Sequence, residues 1–303
     1  MPDIHAGPPS AGPIELRRVG IDRIRKPIHV RRPRRDVVLT AEFSVEVDLP
    51  ASRKGSDLSR NAEILAALTD QTATRPVGSL EEACSWIARE LLARHASASE
   101  SLVRASAEYF VQEGIAPGRE SYEDYLLIAE ARAERGPEGR LRLTRGIGAE
   151  AVGMTACPCA MESCRELLMR DHPELASGPW REIPMVTHNQ RNRTRLLFEV
   201  PEGVEVEADE ILAAIGSAQS APTYSILKRG DEARVVLEAH RRPRFVEDVI
   251  RELLADVPRR FASLPDAVVV RAATVSEESI HKYDVRASHW TTMAELRRAI
   301  ASS

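Results

Sequence analysis

The sequence predicts an α+β fold built of two similar modules, because each half opens with a strand of strict alternation, continues into helices with one apolar face, and closes with further strands. Leu39, Ala41, Phe43, Val45 and Val47 alternate with Thr40, Glu42, Ser44, Glu46 and Asp48, the period of a half-buried strand. Thr194, Leu196, Phe198 and Val200 repeat the pattern against Arg193, Arg195 and Glu199. A composition of 43% apolar and 29% charged residues over 303 positions supplies the core that such a fold needs.

Residues 1–35 carry nine basic and three acidic residues, five or more prolines and no sustained apolar period, which predicts a solvated, flexible N-terminal arm. The first module is expected over 36–160. Asp57 to Thr69 reads as a helix, and Ser79-Leu80-Glu81-Glu82 opens a second one that runs to about His95. Residues 101–112 and 121–135 fit neither period well. Their alanines favour helix, but antiparallel pairing overrides such a preference, so strands are expected. Arg140 to Gly153 reads as a strand running into Cys157. A connecting segment spans 161–192, and the second module 193–290 holds a helix near Ala208–Ile215, a helix opening at Pro243, and closing strands over Ala267–Val275 and His281–Ala287. Lys228-Arg229-Gly230-Asp231-Glu232 reads as an exposed turn, and 291–303 as a tail.

The formal charge of -4 provides no global positive field for nucleic acid or an anionic membrane. No apolar run is long enough to span a bilayer and no secretory signal opens the chain, which predicts a cytoplasmic protein. Phosphate-loop and dinucleotide fingerprints are absent from the sequence.

Three of the four cysteines, Cys157, Cys159 and Cys164, fall within eight positions, which suits a metal or catalytic cluster better than a disulfide framework. Without a second Cys-x2-Cys pair, a closed four-cysteine zinc site is disfavoured, and a catalytic metal with mixed ligands stays open. An extended Cys157-Pro158-Cys159 would project both thiols to one side, although Cys159 and Cys164 also read as small buried residues. Thr187-His188-Asn189-Gln190-Arg191 and Glu278-Ser279-Ile280-His281 set dense polar groups at strand mouths, where binding residues concentrate. With Cys157, their histidines make a nitrogen and sulfur set suited to zinc or iron. Phe245-Val246-Glu247-Asp248 puts carboxylates at a helix start, where they either cap the helix or meet a substrate.

Taken in order, Cys157-Pro158-Cys159, His188-Asn189-Gln190-Arg191, Ser220-Ala221-Pro222-Thr223-Tyr224 with Leu227-Lys228-Arg229 and Asp231-Glu232, Phe245-Val246-Glu247-Asp248 and Glu278-Ser279-Ile280-His281 resemble the type IB GTP cyclohydrolases and their archaeal relatives. The resemblance runs from about Val37 to Ala287. It implies a tunnelling fold, with two tandem modules of antiparallel sheet carrying helices on one face, in a homotetramer whose active sites lie at subunit interfaces. It implies that Cys157, His188 and Glu232 hold one divalent metal, zinc, manganese or iron(II), with Glu238 the competing carboxylate. His281 is implied as general acid/base, Cys157 as a catalytic residue through the metal, and Glu247 as the group that reads the guanine edge. Arg191 is implied in substrate binding, and Arg53, Lys54, Arg60 and Arg193 are further candidates for the triphosphate. The implied activity is hydrolysis of a cyclic amidine C–N bond. Attack on C8 of GTP releases formate and gives 7,8-dihydroneopterin triphosphate, the first step of folate and pterin synthesis. The alternatives are an archaeal-type enzyme giving the 2′,3′-cyclic phosphate, or another pterin-processing enzyme of the same fold. The 30 residues between Cys157 and His188, with Gly153-Met154-Thr155, resemble the archaeal branch; Asp57-Leu58 replace the usual His-Met of the family.

Overall fold

The computed structural model describes residues 5–7, 9–32, 36–176 and 183–302. Parts of the expected arm, at 1–4, 8 and 33–35, and residues 177–182 of the expected connecting segment lie outside these, as does Ser303. Among the described residues the chain forms nine strands and seven α-helices. One sheet has the order β1-β2-β3-β4-β5-β6-β8-β9, and β7 pairs with β5.

Two compact units divide the chain, and the division cuts β3, β4, β5 and β6 along their length. The first holds the described residues up to Tyr109, with Leu126–Gly148 and Phe198–Glu205. Here β2 (Val37–Leu49) turns Leu39, Ala41, Phe43, Val45 and Val47 inward as its alternation requires. Residues 16–30, expected within a solvated arm, instead form β1 (Leu16–Val30), antiparallel to β2 from Leu16↔Leu49 to Val30↔Val37. Two register shifts and the left-handed φ of 56° at Arg23 break the alternation, and the basic residues of an edge strand hide it further. Helix α1 (Leu58–Thr74) buries Ile64, Leu65 and Leu68, and α2 (Leu80–Arg94) buries Ile87, Leu91 and Leu92. The Glu82 backbone N–H donates to the Ser79 hydroxyl at 3.2 Å, fixing the start of α2 where the motif placed it. The alanine-rich segments do form β3 (Glu100–Gly114) and β4 (Glu120–Arg135); pairing of β3 with β2 in the register Ala41↔Ala107 to Val47↔Ser101, and of β4 between β3 and β5, overrides their helix preference.

The second unit holds Phe110–Tyr125, Ala149–Leu197 and the described residues from Val206 on. It contains the end of β5 (Leu141–Ala156), α3 (Pro158–Asp171), most of β6 (Asn189–Pro201), α4 (Ala208–Ala218), β7 (Ala221–Pro222), α5 (Arg229–Arg241), α6 (Val246–Arg260), β8 (Val269–Ser276), β9 (Val285–Thr292) and α7 (Met293–Ala301). Helix α6 packs Val249, Ile250, Leu253 and Val257 against β8, β9, α4 and α7. It starts three residues later than Pro243 suggests, where the Asp248 carboxylate accepts the Phe245 N–H at 3.0 Å. The charged run expected as a turn is the first turn of α5, organised by Asp231, which accepts the Lys228 N–H at 3.1 Å. The expected tail forms β9 to Thr292 and then α7, where Thr292 and Glu295 cap each other's backbone and Met293 is fully buried.

Candidate metal centre

Strand β5 delivers Cys157 to the N-cap of α3, and Pro158 fits the first helical position, where no N–H is needed. Pro158 therefore begins a helix rather than extending the strand. Cys159 lies on that helix and is exposed, not a buried filler, and Cys164 is half-buried. The Cys157 sulfur accepts the Ala160 N–H at 3.4 Å, at a helix end that favours negative charge. The Cys157 N–H donates to the His188 carbonyl at 3.4 Å, so the two residues are backbone neighbours.

The ring of His188 is held by Gln190, two residues on, and by Glu278 and Ser279 from a distant part of the sequence. Gln190 Nε2 donates to Glu278 Oε1 at 3.1 Å, which turns Gln190 Oε1 towards His188 Nδ1, also at 3.1 Å. An acceptor facing Nδ1 places the ring proton there and leaves the Nε2 lone pair available for a metal. Glu278 Oε2 lies 4.0 Å from the same Nδ1, and both side chains are about nine-tenths buried, at 12% and 9% exposure. The Glu277 N–H donates to the Arg191 carbonyl at 2.9 Å, tying the β8–β9 loop to the start of β6. A carboxylate behind a ligating imidazole is the arrangement that orients such ligands.

A partly buried thiol and a largely buried imidazole with a directed lone pair, donors of soft and intermediate character, fit a zinc-type or iron-type ion. They do not complete a site. Among the described residues, no three His, Cys, Asp or Glu side chains gather as a metal-holding set. Glu232 is exposed on the first turn of α5, and Glu238 is exposed further along it. His281 is exposed in the β8–β9 loop and stacks on Tyr283 at 5.0 Å between ring centroids. Glu247 is exposed on the first turn of α6; since Asp248 performs the capping there, the Glu247 carboxylate is left for another partner.

The candidate cations separate by their partners. Arg193 donates to Glu150 at 3.2 Å and to Glu277 at 3.3 Å, and Arg195 donates to Glu150 at 2.6 Å. Arg53 and Arg60 lie 3.8 and 3.0 Å from Asp57 in the first unit. Among the described residues no carboxylate pairs with the exposed Arg191 or Lys54, so these keep their charge for a ligand.

Several supporting residues carry no sequence signal of their own. His240 is 1% exposed, with Nδ1 2.7 Å from the Val236 carbonyl and Nε2 3.1 Å from that of Thr187, and so fastens α5 to the residue before His188. Arg119 pairs with Asp231 at the head of α5. The Lys228 N–H, with Arg119 beside it, holds the Asp231 carboxyl below the usual range. Burial would raise the Glu123 carboxyl, but hydrogen bonds from the Ser121 hydroxyl and from the N–H and hydroxyl of Ser225 hold it below its ordinary value. These pairs are 102 and 112 positions apart in sequence, beyond the reach of any local pattern.

A model of the type I GTP cyclohydrolase folE2 family matches residues 1–287. The chain belongs to that family. It is 37% identical over 311 residues to the GTP cyclohydrolase MptA of Methanococcoides burtonii, covering 100% of this chain and 98% of that protein. The GTP cyclohydrolase MptA of Methanosarcina mazei is 39% identical over 316 residues, covering 99% and 98%. Among solved structures, a uricase from Bacillus fastidious matches with a TM-score of 0.51 at 10% identity, over 95% of this chain and 97% of that one. A urate oxidase from Bacillus sp. TB-90 matches with a TM-score of 0.50 at 10% identity, over 91% and 100%. At such identity the likeness concerns the fold, which is the expected tunnelling fold. No described helix is long and apolar enough to cross a membrane.

Proposed function

We propose that this member of the family is a metal-dependent GTP cyclohydrolase of the archaeal type, opening the imidazole ring of GTP with water, releasing C8 as formate and two of the three phosphates as diphosphate, and giving 7,8-dihydroneopterin 2′,3′-cyclic phosphate. The observation that carries the reading is the full-length similarity, at 37–39% identity, to proteins named GTP cyclohydrolase MptA. The same similarity favours the cyclic phosphate over the triphosphate product expected first.

Cys157 and His188 would hold the ion, with Glu232 or Glu238 as the carboxylate. When bound, a divalent zinc, manganese or iron(II) ion would supply Lewis acidity and a water that ionises near neutral pH. Glu278, through Gln190, keeps the His188 proton on Nδ1 and Nε2 free to ligate. His281 would take a proton from the water attacking C8 and return it to the ring nitrogen as the C–N bond breaks. A second hydration releases C8 as formate. Glu247 would accept two hydrogen bonds from the guanine N1–H and amino group. The exposed Arg191, which meets no carboxylate among the described residues, would meet phosphate oxygens. The chain would assemble as a homotetramer with active sites at subunit interfaces, as the family resemblance implies.

The test is anaerobic incubation of the purified protein with GTP and zinc, manganese or iron(II), with assay of formate and mass analysis of the pterin. Formate with a cyclic phosphate is the expected result. A triphosphate pterin would return the chain to the folate-type reading, and no formate with any metal would overturn the activity.

A further inference from the structure

A cavity of about 270 Å³ lies in the second unit among residues of α4, β3, β4 and β5, and neither Cys157, His188 nor Glu232 lines it. Its size is just below that of drug-sized pockets, roughly 300–1,000 Å³, and suits one bicyclic heterocycle. Val152, Leu212 and Pro222 give it apolar walls.

The polar groups in it are unusually specific. Gln219 is 1% exposed and lines the cavity. Its Oε1 accepts from Asn192 Nδ2 at 3.1 Å, while Asn192 Nδ2 also donates to Thr194 at 3.0 Å and Asn192 Oδ1 accepts from Thr274 at 3.0 Å. That buried set fixes the amide orientation, because a flip would set donor against donor. Among the described residues no acceptor meets Gln219 Nε2, and this atom is not sealed off from the cavity, so its N–H donors are available to a ligand there. Gly153 leaves room for this amide: a Cβ there would fall 2.5–2.9 Å from its atoms. On another wall Tyr125 donates its hydroxyl to Glu113 Oε2 at 2.9 Å, and burial followed by Glu113 keeps the phenol protonated. Asp209, itself engaged within the fold, also lines it, and no Lys or Arg is among the described lining residues.

A ligand that completes this pattern is flat, gives N–H donors to Glu113, offers a carbonyl oxygen to Gln219 Nε2 and carries no phosphate. The 2-amino-4-oxopyrimidine edge shared by guanine and pterin has adjacent N–H and amino donors beside a carbonyl acceptor. We propose that this cavity is a second binding site for an unphosphorylated guanine or pterin ring, separate from the metal centre. The ring class rests on the cyclohydrolase reading; the cavity and its hydrogen-bonding pattern do not. With no Lys or Arg among the described lining residues, nothing in the cavity neutralises a triphosphate, so the site favours dephosphorylated rings over the substrate.

The test is equilibrium titration of the full-length protein and of Cys157→Ala with neopterin, guanosine and GTP, followed by fluorescence or calorimetry. Neopterin or guanosine should bind both proteins, and the Cys157→Ala protein should take GTP at least about tenfold more weakly than the better ring. Glu113→Gln and Gln219→Leu should each weaken ring binding by about tenfold or more, with formate production from GTP within about twofold of wild type. Glu113 is exposed, so its variant reports even if Gln219→Leu does not fold. No ring binding, or binding lost in Cys157→Ala and indifferent to Glu113→Gln, would overturn the site. Ring binding without formate production would instead count against the cyclohydrolase reading alone.

Discussion

The two units follow the same strand, helix and strand plan and differ in what fills them. In the first, Phe43, Ile64, Leu65, Leu68, Ile87 and Leu91 are all essentially inaccessible, and buried polar contacts are fewer, as where Ser101 donates to the Ala88 carbonyl at 2.7 Å and His95 Nε2 meets Asn61 Oδ1 at 2.8 Å. In the second, Asn192, Thr194 and Thr274 form one buried set, Thr155 meets Ser276 at 3.0 Å, and His240, Asp231 and Glu123 each fasten a loop or helix. Apolar filling is non-directional and contributes stability by area. Buried polar groups gain little net free energy but demand fixed partners and directions, which is what a site needs. The second unit thus fills more of its interior with directed contacts, of which those of Gln190 with Glu278 and of His240 with Thr187 bear on His188, and the first relies on apolar filling.

Substitutions should separate these roles. The largest effect is expected for Cys157→Ala or His188→Ala, which should lose bound metal and lower formate production at least about a thousandfold; metal analysis and turnover check this, and full metal content with wild-type rates would dissolve the contrast. Next, Leu91→Ala in the first unit should lower unfolding free energy by about 2–5 kcal/mol in denaturant titrations, by lost burial and the cavity left behind. Gln190→Leu, in the second, should cost about 10–100-fold in metal affinity, because His188 loses the partner that fixes its tautomer.

The units should also respond at different pH. Burial first, with Arg60 next, holds the His95 pKa below 6.5, so its neutral form contributes stability that is full above 6.5 and declines as pH falls below it. Glu123 is held below 4.5, so its contribution is full above 4.5 and is lost only in more acid solution. Unfolding midpoints against pH should therefore lose the first decline in His95→Gln and the second in Glu123→Gln. The smallest effect is expected for Ser79→Ala, about 1 kcal/mol from the exposed cap of α2, read as a shift in thermal midpoint with no change in metal content.

Much of this was legible in the chain itself. The alternation of β2 and β6, the Ser79 cap and the apolar face of α6 are periodic features that local sterics and burial impose. β1 escaped because an edge strand with register shifts and basic residues has no clean period, and the charges of α5 masked a helix whose buried residues are Asp231, Val235, Ala239 and His240, two of them polar. α7 did carry a signal, the Thr292-Met293-Ala294-Glu295 capping pattern, at the start of a segment too short to show periodicity well. In the site, Cys157, His188 and the Glu278 segment stood out as motifs, but the role of Gln190 between His188 and Glu278 did not.

By itself, then, the sequence determined the α+β class, most element positions and the residue types available for chemistry, because periodicity, capping and side-chain identity act over a few positions. Tertiary structure alone decided which nitrogen of His188 is free, that Asp248 caps and Glu247 does not, and that Arg119 reaches Asp231 from 112 positions away. Those outcomes depend on distances and hydrogen-bond directions between segments, which exist only once the chain has packed.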